Sequence, residues 1–190
     1  VRIRSVEALQ QSLDFAREHS LPLLVLGGGS NVLIDDDGFS GLVLIIELEG
    51  IAREGDTLVA GAGERWDTLV ARAVEENLWG LENLSGIPGT VGGAVAGSIG
   101  AYGQSLSQTC EWVEALELAS GEIKRIPKTQ CVFGYRKSLF SNGEYVIVRA
   151  AFALSSSPQP DLSYKDLVGV KAQLPVIREA VLTIRKDKFP

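Results

Sequence analysis

The sequence of 190 residues contains no methionine, a single histidine and only two cysteines. One histidine, His19, is too little for a zinc site, and neither cysteine belongs to a Cys-x-x-Cys pair. We expect Cys110 and Cys131 to be buried free thiols, with a disulfide as the alternative. Since there is no methionine, we expect that the chain does not begin at a native start and is an excerpt of a longer protein.

Long apolar runs and an excess of basic residues are also missing. No run approaches the roughly 18 apolar residues that a membrane-spanning helix needs, and no signal peptide is recognisable. These absences favour a cytoplasmic protein without a membrane partner. The net charge of −6 argues against a nucleic-acid partner, because such proteins normally carry a basic face. The length suits one domain or two small lobes.

Three consecutive glycines, Gly27 to Gly29, separate two apolar runs in LGGGSNVLI and are followed by Ser30 and Asn31. Ordering three glycines is entropically costly, and a plain turn needs only one or two. One interpretation is a tight loop between strands. The other is a bare backbone whose N–H groups hold a phosphate. A P-loop lysine is missing, and Val32 stands where a Rossmann fingerprint needs glycine, so any nucleotide would be bound in another fold.

A second segment, GLENLSGIPGTVGGAVAGSIGAYG, carries eight glycines within residues 80–103. Ile87, Pro88 and Gly89 predict a turn, and Thr90 can cap a short helix over Val91 to Ala96 whose N-terminus favours an anion. A close-packed turn region is the alternative. Two glycine-rich segments that suit an anion are better explained by one dinucleotide than by two unrelated turns.

The remaining sequence mixes helical and β patterns without internal repeats. Amphipathic helices are predicted over 5–20, 65–78 and 174–188, and strands flank the triglycine loop. A hairpin with a Ser120-Gly121 turn is predicted over 112–127, followed by a long strand over 144–154. This order predicts an α+β fold and not a regular βαβ alternation.

Four motifs stand in order along the chain: LGGGSNVLI, GLENLSGIPGTVGGAV, IGAYG and FGYRKSLF. Together they resemble the UDP-N-acetylenolpyruvoylglucosamine reductases, flavoenzymes of bacterial peptidoglycan precursor synthesis. The resemblance implies an α+β, two-lobed FAD-binding domain of the vanillyl-alcohol-oxidase (PCMH) type. By this resemblance residues 1–50 form the first lobe and 51–155 the second. Residues 156–190 would be a substrate loop and a helix leading to a C-terminal substrate domain that the sequence lacks.

The resemblance also implies the reaction. This is the NADPH-dependent, FAD-mediated reduction of UDP-N-acetylglucosamine enolpyruvate to UDP-N-acetylmuramate, in which the flavin delivers hydride to the methylene carbon. A serine general acid and a later glutamate lie in the family's C-terminal domain, so this chain is expected to bind FAD without completing the reduction. We expect non-covalent FAD, a monomer, and a role in cell wall biogenesis, cell shape and cell division.

Individual site residues follow from the same resemblance. Arg136 would face the enolpyruvyl carboxylate at the flavin, where a solvated surface arginine is the alternative. Tyr164 would cover the uridine diphosphate, or else be a core aromatic residue. Arg185 and Lys188 would reach the diphosphate, or only complement the C-terminus of their helix. The expected cofactor-binding residues are Gly27, Gly28, Gly29, Ser30, Asn31, Ile87, Pro88, Gly89, Thr90, Gly92, Gly93, Ala94, Gly100 and Tyr102. The expected substrate-binding residues are Tyr135, Arg136, Tyr164, Arg185 and Lys188, and no metal ligand is expected.

Three features leave alternatives open. Ser98 stands where the family carries asparagine before an IGAYG or AGAYG sequence, which puts one polar contact near the flavin in doubt. Glu82 is a weaker site candidate, and the alternative is that it only holds its loop by accepting backbone N–H bonds. The run Asp35 to Gly38 lacks calcium-loop spacing and is interpreted as a solvated turn. Alternative functions are an FAD-dependent oxidase or dehydrogenase of the same fold, and a non-catalytic FAD-binding module.

Overall fold

The computed structural model describes residues 1–188 and contains two main β-sheets with helices packed on them. Its strands and helices follow in the order β1 (Arg2–Ile3), α1 (Val6–Glu18), β2 (Leu23–Leu26), β3 (Leu42–Ile46), β4 (Ile51–Glu54), β5 (Thr57–Gly61), α2 (Trp66–Glu75), α3 (Val91–Ala96), β6 (Gly100–Ala101), β7 (Gln104–Ser105), α4 (Leu106–Thr109), β8 (Cys110–Glu117), β9 (Ile123–Pro127), β10 (Tyr145–Ala153) and α5 (Leu174–Lys188). Short 3₁₀ turns lie at Glu82–Leu84, Lys128–Gln130, Leu139–Asn142 and Lys165–Leu167.

The first sheet is parallel, with the strand order β1-β3-β2. Helix α1 makes the crossover from β1 to β2 and begins as predicted, because the Ser5 hydroxyl accepts a hydrogen bond from the Ala8 N–H at 3.1 Å. Its apolar stripe buries Leu9, Leu13 and Ala16. The connection from β2 to β3 contains no helix and is exposed from Gly28 to Ser40.

The second sheet is antiparallel, with the order β4-β5-β10-β8-β9. Its central strand β10 is buried over most of its length, which explains the long apolar run seen in the sequence. The predicted hairpin between β8 and β9 is confirmed, and Gly121 in its turn has a φ of +78°. Strands β6 and β7 form a separate small hairpin.

One hydrophobic core joins the two sheets, with residues such as Ile3 and Leu44 from the first and Leu58 and Phe152 from the second. The junction also needs two glycines. A Cβ atom at Gly61 would overlap the Leu48 carbonyl oxygen, and one at Gly63 would overlap the Leu48 nitrogen. A second buried cluster lies under α5 and contains Trp79, Tyr102, Leu167, Leu174, Ile177 and Val181.

The predicted α+β class is confirmed, as are the three long helices and the predicted strands. The very short strands β1, β4, β6 and β7 were not predicted, because two to four residues without a continuous apolar run show no readable period. Cys110 and Cys131 are buried free thiols, as expected. Burial raises the pKa of Cys110 to about 12 and that of Cys131 to about 11. Within residues 1–188, none of the helices has the length and apolar character to cross a membrane.

Candidate cofactor site

The two glycine-rich segments, about 60 residues apart in sequence, lie directly against each other. A Cβ atom at Gly27 would overlap the Thr90 hydroxyl oxygen, and one at Gly28 would lie 3.8 Å from Gly89 Cα. From the other side, a Cβ atom at Gly89 would lie 3.1 Å from the Ser30 hydroxyl. Glycine is therefore required at Gly27 by close approach. The structure brings the two predicted cofactor-binding segments to one place.

Backbone donors of the first segment are available for a ligand. Within residues 1–188, the N–H groups of Gly28, Gly29, Ser30 and Asn31 make no hydrogen bond to the protein. All four residues are exposed, and Gly29 has a φ of +70°. A run of unpaired N–H groups on glycine-rich backbone is suited to a phosphate or pyrophosphate. These residues fit the pyrophosphate of FAD.

The N-terminus of α3 differs from this loop, because its first N–H groups are already used by the protein. Val91 donates to the Glu64 carbonyl at 2.8 Å, Gly92 to the Ala62 carbonyl at 2.8 Å, and Gly93 to the Thr90 hydroxyl at 3.4 Å. The predicted Thr90 cap is thus confirmed. The helix end can still favour an anion through its dipole. Direct N–H contacts from Gly92 and Gly93, however, would require these bonds to change.

Helix α5 fixes the turn that leads into Ile87 and Pro88. The Gly86 N–H donates to Asp67 Oδ1 at 2.6 Å, and Arg178 binds both oxygens of Asp67 at 2.7 and 2.8 Å. These bonds, that to Arg178 foremost, hold the pKa of Asp67 below its usual value. On the other side, Arg185 Nε donates to the Gly86 carbonyl at 3.0 Å. Asp67 and Arg178 escaped sequence analysis because 111 residues separate them.

Arg136 lies in a tight exposed turn, in which the Gly134 N–H donates to the Lys137 carbonyl at 2.8 Å. Its φ of +54° falls in the left-handed region that non-glycine residues rarely adopt. The neighbouring Tyr135 is 97% exposed. This placement leaves both side chains accessible to a ligand.

The Arg136 turn is attached to the C-terminus of α3. Ser138 and Ser141 each donate a hydroxyl hydrogen bond to the Ala96 carbonyl at 2.8 Å. Ser138 is buried and was missed, although it stands inside the FGYRKSLF motif. Helix α3 has six residues, or about 9 Å of rise. One short helix therefore carries the glycine segments at its beginning and the Arg136 turn at its end.

A second group of predicted residues meets at the end of α5. The rings of Tyr102 and Tyr164 contact edge to face, with centroids 5.3 Å apart. Lys188 Nζ lies 5.9 Å from the centroid of Tyr102 and forms an ion pair with Asp166 at 2.5 Å. The Asp166 carboxylate raises the pKa of Lys188. Tyr102, expected at the cofactor, is thus grouped with two residues expected at the substrate.

The first residues of the second glycine segment are held by buried polar groups. Glu82 is 1% exposed and accepts the Gly80 N–H at 2.7 Å, which supports a loop-holding role. Burial raises its pKa. Asn83 donates to the carbonyls of Tyr102 and Asp161 at 2.9 and 2.8 Å, and so ties the β6–β7 hairpin to this loop. Gly100 in that hairpin lies close to the Gln104 carbonyl.

Comparison with known proteins identifies similar chains over nearly the whole length. The chain is 40% identical to the UDP-N-acetylenolpyruvoylglucosamine reductase of Ralstonia nicotianae, covering 99% of this chain and 60% of that protein. It is 41% identical to that of Yersinia pestis, covering 98% and 56% respectively. The crystal structure of the reductase from Thermus caldophilus superposes with a TM-score of 0.74 at 28% identity, covering 97% of this chain and 61% of that one. The chain thus spans about 60% of the length of these relatives.

These comparisons also confirm the predicted fold type and the resemblance to the reductase family. The structure of p-cresol methylhydroxylase, at 16% identity, superposes with a TM-score of 0.60 over 84% of this chain and 36% of that one, a likeness of fold alone. The FAD binding domain family matches residues 1–127, which include both glycine segments. With this match over two thirds of its length, the chain belongs to the FAD binding domain family.

Proposed function

We propose that this chain is the FAD-binding part of an NADPH-dependent reductase that converts UDP-N-acetylglucosamine enolpyruvate to UDP-N-acetylmuramate. One observation carries the proposal. Helix α3 meets the glycine segments at its N-terminal end and holds the Arg136 turn at its C-terminal end through Ser138 and Ser141. The proposed cofactor site and the proposed substrate cation are thereby both attached to the same short helix. The similarity of this chain to UDP-N-acetylenolpyruvoylglucosamine reductases supports the proposed function.

The glycine segments would hold the cofactor. The unpaired N–H groups of Gly28 to Asn31 would bind the pyrophosphate, with the Ser30 and Asn31 side chains assisting. Bound FAD would supply hydride transfer from NADPH to the enolpyruvyl group. Further residues proposed for the cofactor are Gly27, Ile87, Pro88, Gly89, Thr90, Gly92, Gly93, Ala94, Gly100 and Tyr102.

Arg136 would bind the enolpyruvyl carboxylate and stabilise the negative charge that develops beside it. A planar guanidinium suits a carboxylate because it can donate two parallel hydrogen bonds. Its exposure and its fixed turn leave the side chain accessible while limiting the positions it can reach. Tyr135, on the same turn, is proposed as a further contact to the substrate.

Tyr164, Arg185 and Lys188 would bind the uridine diphosphate part. Lys188 is already paired with Asp166, and Arg185 donates to the Gly86 carbonyl. A diphosphate would therefore have to compete with these two protein partners. The diphosphate carries more negative charge than the single Asp166 carboxylate. The ion pair that it would displace from Lys188 is also weak, because an ion pair at a surface contributes only about 0.2–1 kcal/mol.

The cellular setting follows from the proposed reaction. We propose a monomer acting in the cytoplasm, in peptidoglycan precursor synthesis, with effects on cell shape and division and no nucleic-acid partner. We also propose two lobes at residues 1–50 and 51–155. The remaining residues, 156–190, would lead to a substrate domain supplied by further sequence.

The test compares Arg136→Ala with Lys137→Ala, a matched loss of one positive charge in the same turn. Both variants should keep FAD and accept hydride from NADPH, seen as bleaching of the flavin absorbance under anaerobic conditions. In the full-length protein, which includes the proposed C-terminal substrate domain, turnover of the enolpyruvyl substrate should fall by about 100- to 1,000-fold in Arg136→Ala only. Equal turnover in the two variants contradicts the role of Arg136. Protein without flavin bands, or oxygen-dependent turnover of an alcohol without NADPH oxidation, contradicts the proposed function.

A further inference from the structure

The triglycine loop offers N–H groups to a pyrophosphate but no cation, since the lysine of a P-loop is missing there. A pyrophosphate carries formal negative charge, and this chain has a net charge of −6. A positively charged side chain beside the loop would therefore raise the affinity for the cofactor considerably. The fold places one there from a third segment of the chain.

We propose that Arg65, at the start of α2, supplies the positive charge that pairs with the FAD pyrophosphate. Residues 62–66 run antiparallel to residues 89–92. The Trp66 N–H donates to the Gly89 carbonyl at 3.1 Å, and the Val91 N–H donates to the Glu64 carbonyl at 2.8 Å. Within this pairing, Arg65 is directly opposite Thr90.

Directly opposed residues of an antiparallel pair project their side chains from the same face, with Cβ atoms about 4.5–5.5 Å apart. The side chain of Thr90 shows which way this shared face points, because the Thr90 hydroxyl occupies the space where a Cβ atom at Gly27 would lie. The Thr90 side chain therefore points to the triglycine loop. The pairing therefore directs Arg65 to the same face as Thr90, the face against which the triglycine loop lies.

The guanidinium of Arg65 is also available for a ligand. Arg65 is exposed, and within residues 1–188 its side chain has no hydrogen bond or ion pair. The carboxylate two residues away, Asp67, is bound by both terminal nitrogens of Arg178, and the charge of Arg65 acts on it only from beyond ion-pair distance. Glu64 accepts the N–H groups of Gly50 and of Arg65 itself, so its carboxylate is held by backbone. A phosphate would thus not have to displace an existing partner.

The role of Arg65 deepens the proposed function and rests on FAD binding. The following experiment distinguishes a failure of the Arg65 role from a failure of the proposed function. Dissociation constants are measured by fluorescence titration for FAD and for riboflavin, which shares the isoalloxazine but has no phosphate. The variants are Arg65→Ala, Arg65→Lys and the control Arg72→Ala. Arg72 is another exposed arginine of α2, and it pairs with Glu76. Circular dichroism confirms that each variant is folded.

Arg65→Ala should weaken FAD binding by about 10- to 100-fold, the loss of one charge-assisted contact, and leave riboflavin binding unchanged. Arg65→Lys should recover part of the affinity, and Arg72→Ala should bind FAD like the parent protein. The difference between parent and Arg65→Ala should shrink at high salt. Unchanged FAD binding, or an equal loss for FAD and riboflavin, overturns the role of Arg65 alone. A parent protein that does not bind FAD overturns the proposed function as well.

Discussion

Arg178 in α5 binds Asp67 in α2 through two parallel hydrogen bonds, and Asp67 in turn accepts the N–H of Gly86. This chain of contacts connects the last helix of the structure with the turn before Ile87 and Pro88. Both charges are partly buried, with side-chain exposures of 17% for Arg178 and 35% for Asp67. The pair therefore positions a segment of the candidate cofactor site from outside that site.

Arg178→Ala should destabilise the protein by about 1.5–3 kcal/mol, because a charge-assisted pair is lost while Asp67 stays partly buried. The free energy of unfolding from denaturant titration measures this. Arg4→Ala is the matched control, since Arg4 forms an ion pair with Glu47 at the surface and is 73% exposed. A loss no larger than that of the control would show that the pair does not hold the turn. FAD binding should weaken in Arg178→Ala only.

The same pair predicts how stability depends on pH. The folded-state pKa of Asp67 is lowered from the usual 3.8, mainly by the hydrogen bonds from Arg178. The folded protein therefore binds fewer protons than the unfolded chain as the pH falls through this range. The contribution of Asp67 is fully present above pH 3.8 and is lost as the pH falls through the folded-state pKa.

Unfolding curves of the parent protein and of Arg178→Ala should consequently converge as the pH is lowered below 3.8. Their difference should be constant near neutral pH, where Asp67 is ionised in both states. Asp67→Asn should lose this part of the pH dependence. A difference between parent and Arg178→Ala that stays the same down to the lowest pH reached would contradict the assignment.

The two glycine segments yield a paired steric prediction. A methyl group at Gly27 would overlap the Thr90 hydroxyl, whereas one at Gly28 would meet Thr90 Cγ2 at 3.7 Å, an ordinary contact. Gly27→Ala should therefore displace the loop and weaken FAD binding by at least about tenfold, while Gly28→Ala should retain its fold and most of its affinity. A bulkier change, Gly28→Val, should abolish flavin retention without unfolding the protein.

Flavin content after purification and FAD titration measure these effects. The double variant Gly27→Ala with Thr90→Ser is the informative control. Because a serine at position 90 would keep the hydroxyl, this double variant should bind FAD as poorly as Gly27→Ala. Replacing Thr90 by Ala in the same background should restore part of the binding. Normal FAD affinity in Gly27→Ala would contradict the close approach of the two segments.

Local patterns were sufficient to predict the helices, the β8–β9 hairpin and the Thr90 cap, because each depends on residues within a few positions of one another. The glycine segments could be predicted to meet at a dinucleotide, yet the reason for Gly27 lies in Thr90, 63 positions further on. The Asp67–Arg178 pair and the position of Arg65 depend on how separate elements pack. No periodicity or spacing in the sequence encodes such contacts, so they had to come from the structure.

Ser138 and Ser141 provide the last test, since both donate to the Ala96 carbonyl at 2.8 Å but differ in burial. Ser138 is 4% exposed and its hydroxyl accepts the Phe140 N–H, whereas Ser141 is exposed and its hydroxyl accepts the Ser138 N–H at 2.9 Å. Ser138→Ala should cost about 1–3 kcal/mol, because it leaves a buried N–H without its acceptor. Ser141→Ala should cost less, since water can replace an exposed hydroxyl.

The readout specific to this site is the order of the Arg136 turn. Trypsin cleaves after Arg136 and Lys137, so limited proteolysis reports how firmly the turn is held to α3. Ser138→Ala should speed cleavage at these two positions more than at exposed lysines elsewhere, such as Lys171. Ser138→Thr keeps the hydroxyl and should recover part of the protection. If Ser138→Ala loses stability but is cleaved after Arg136 and Lys137 at the parent rate, Ser138 contributes to stability without ordering the Arg136 turn. In that case the attachment of the Arg136 turn to α3 would not depend on this hydroxyl.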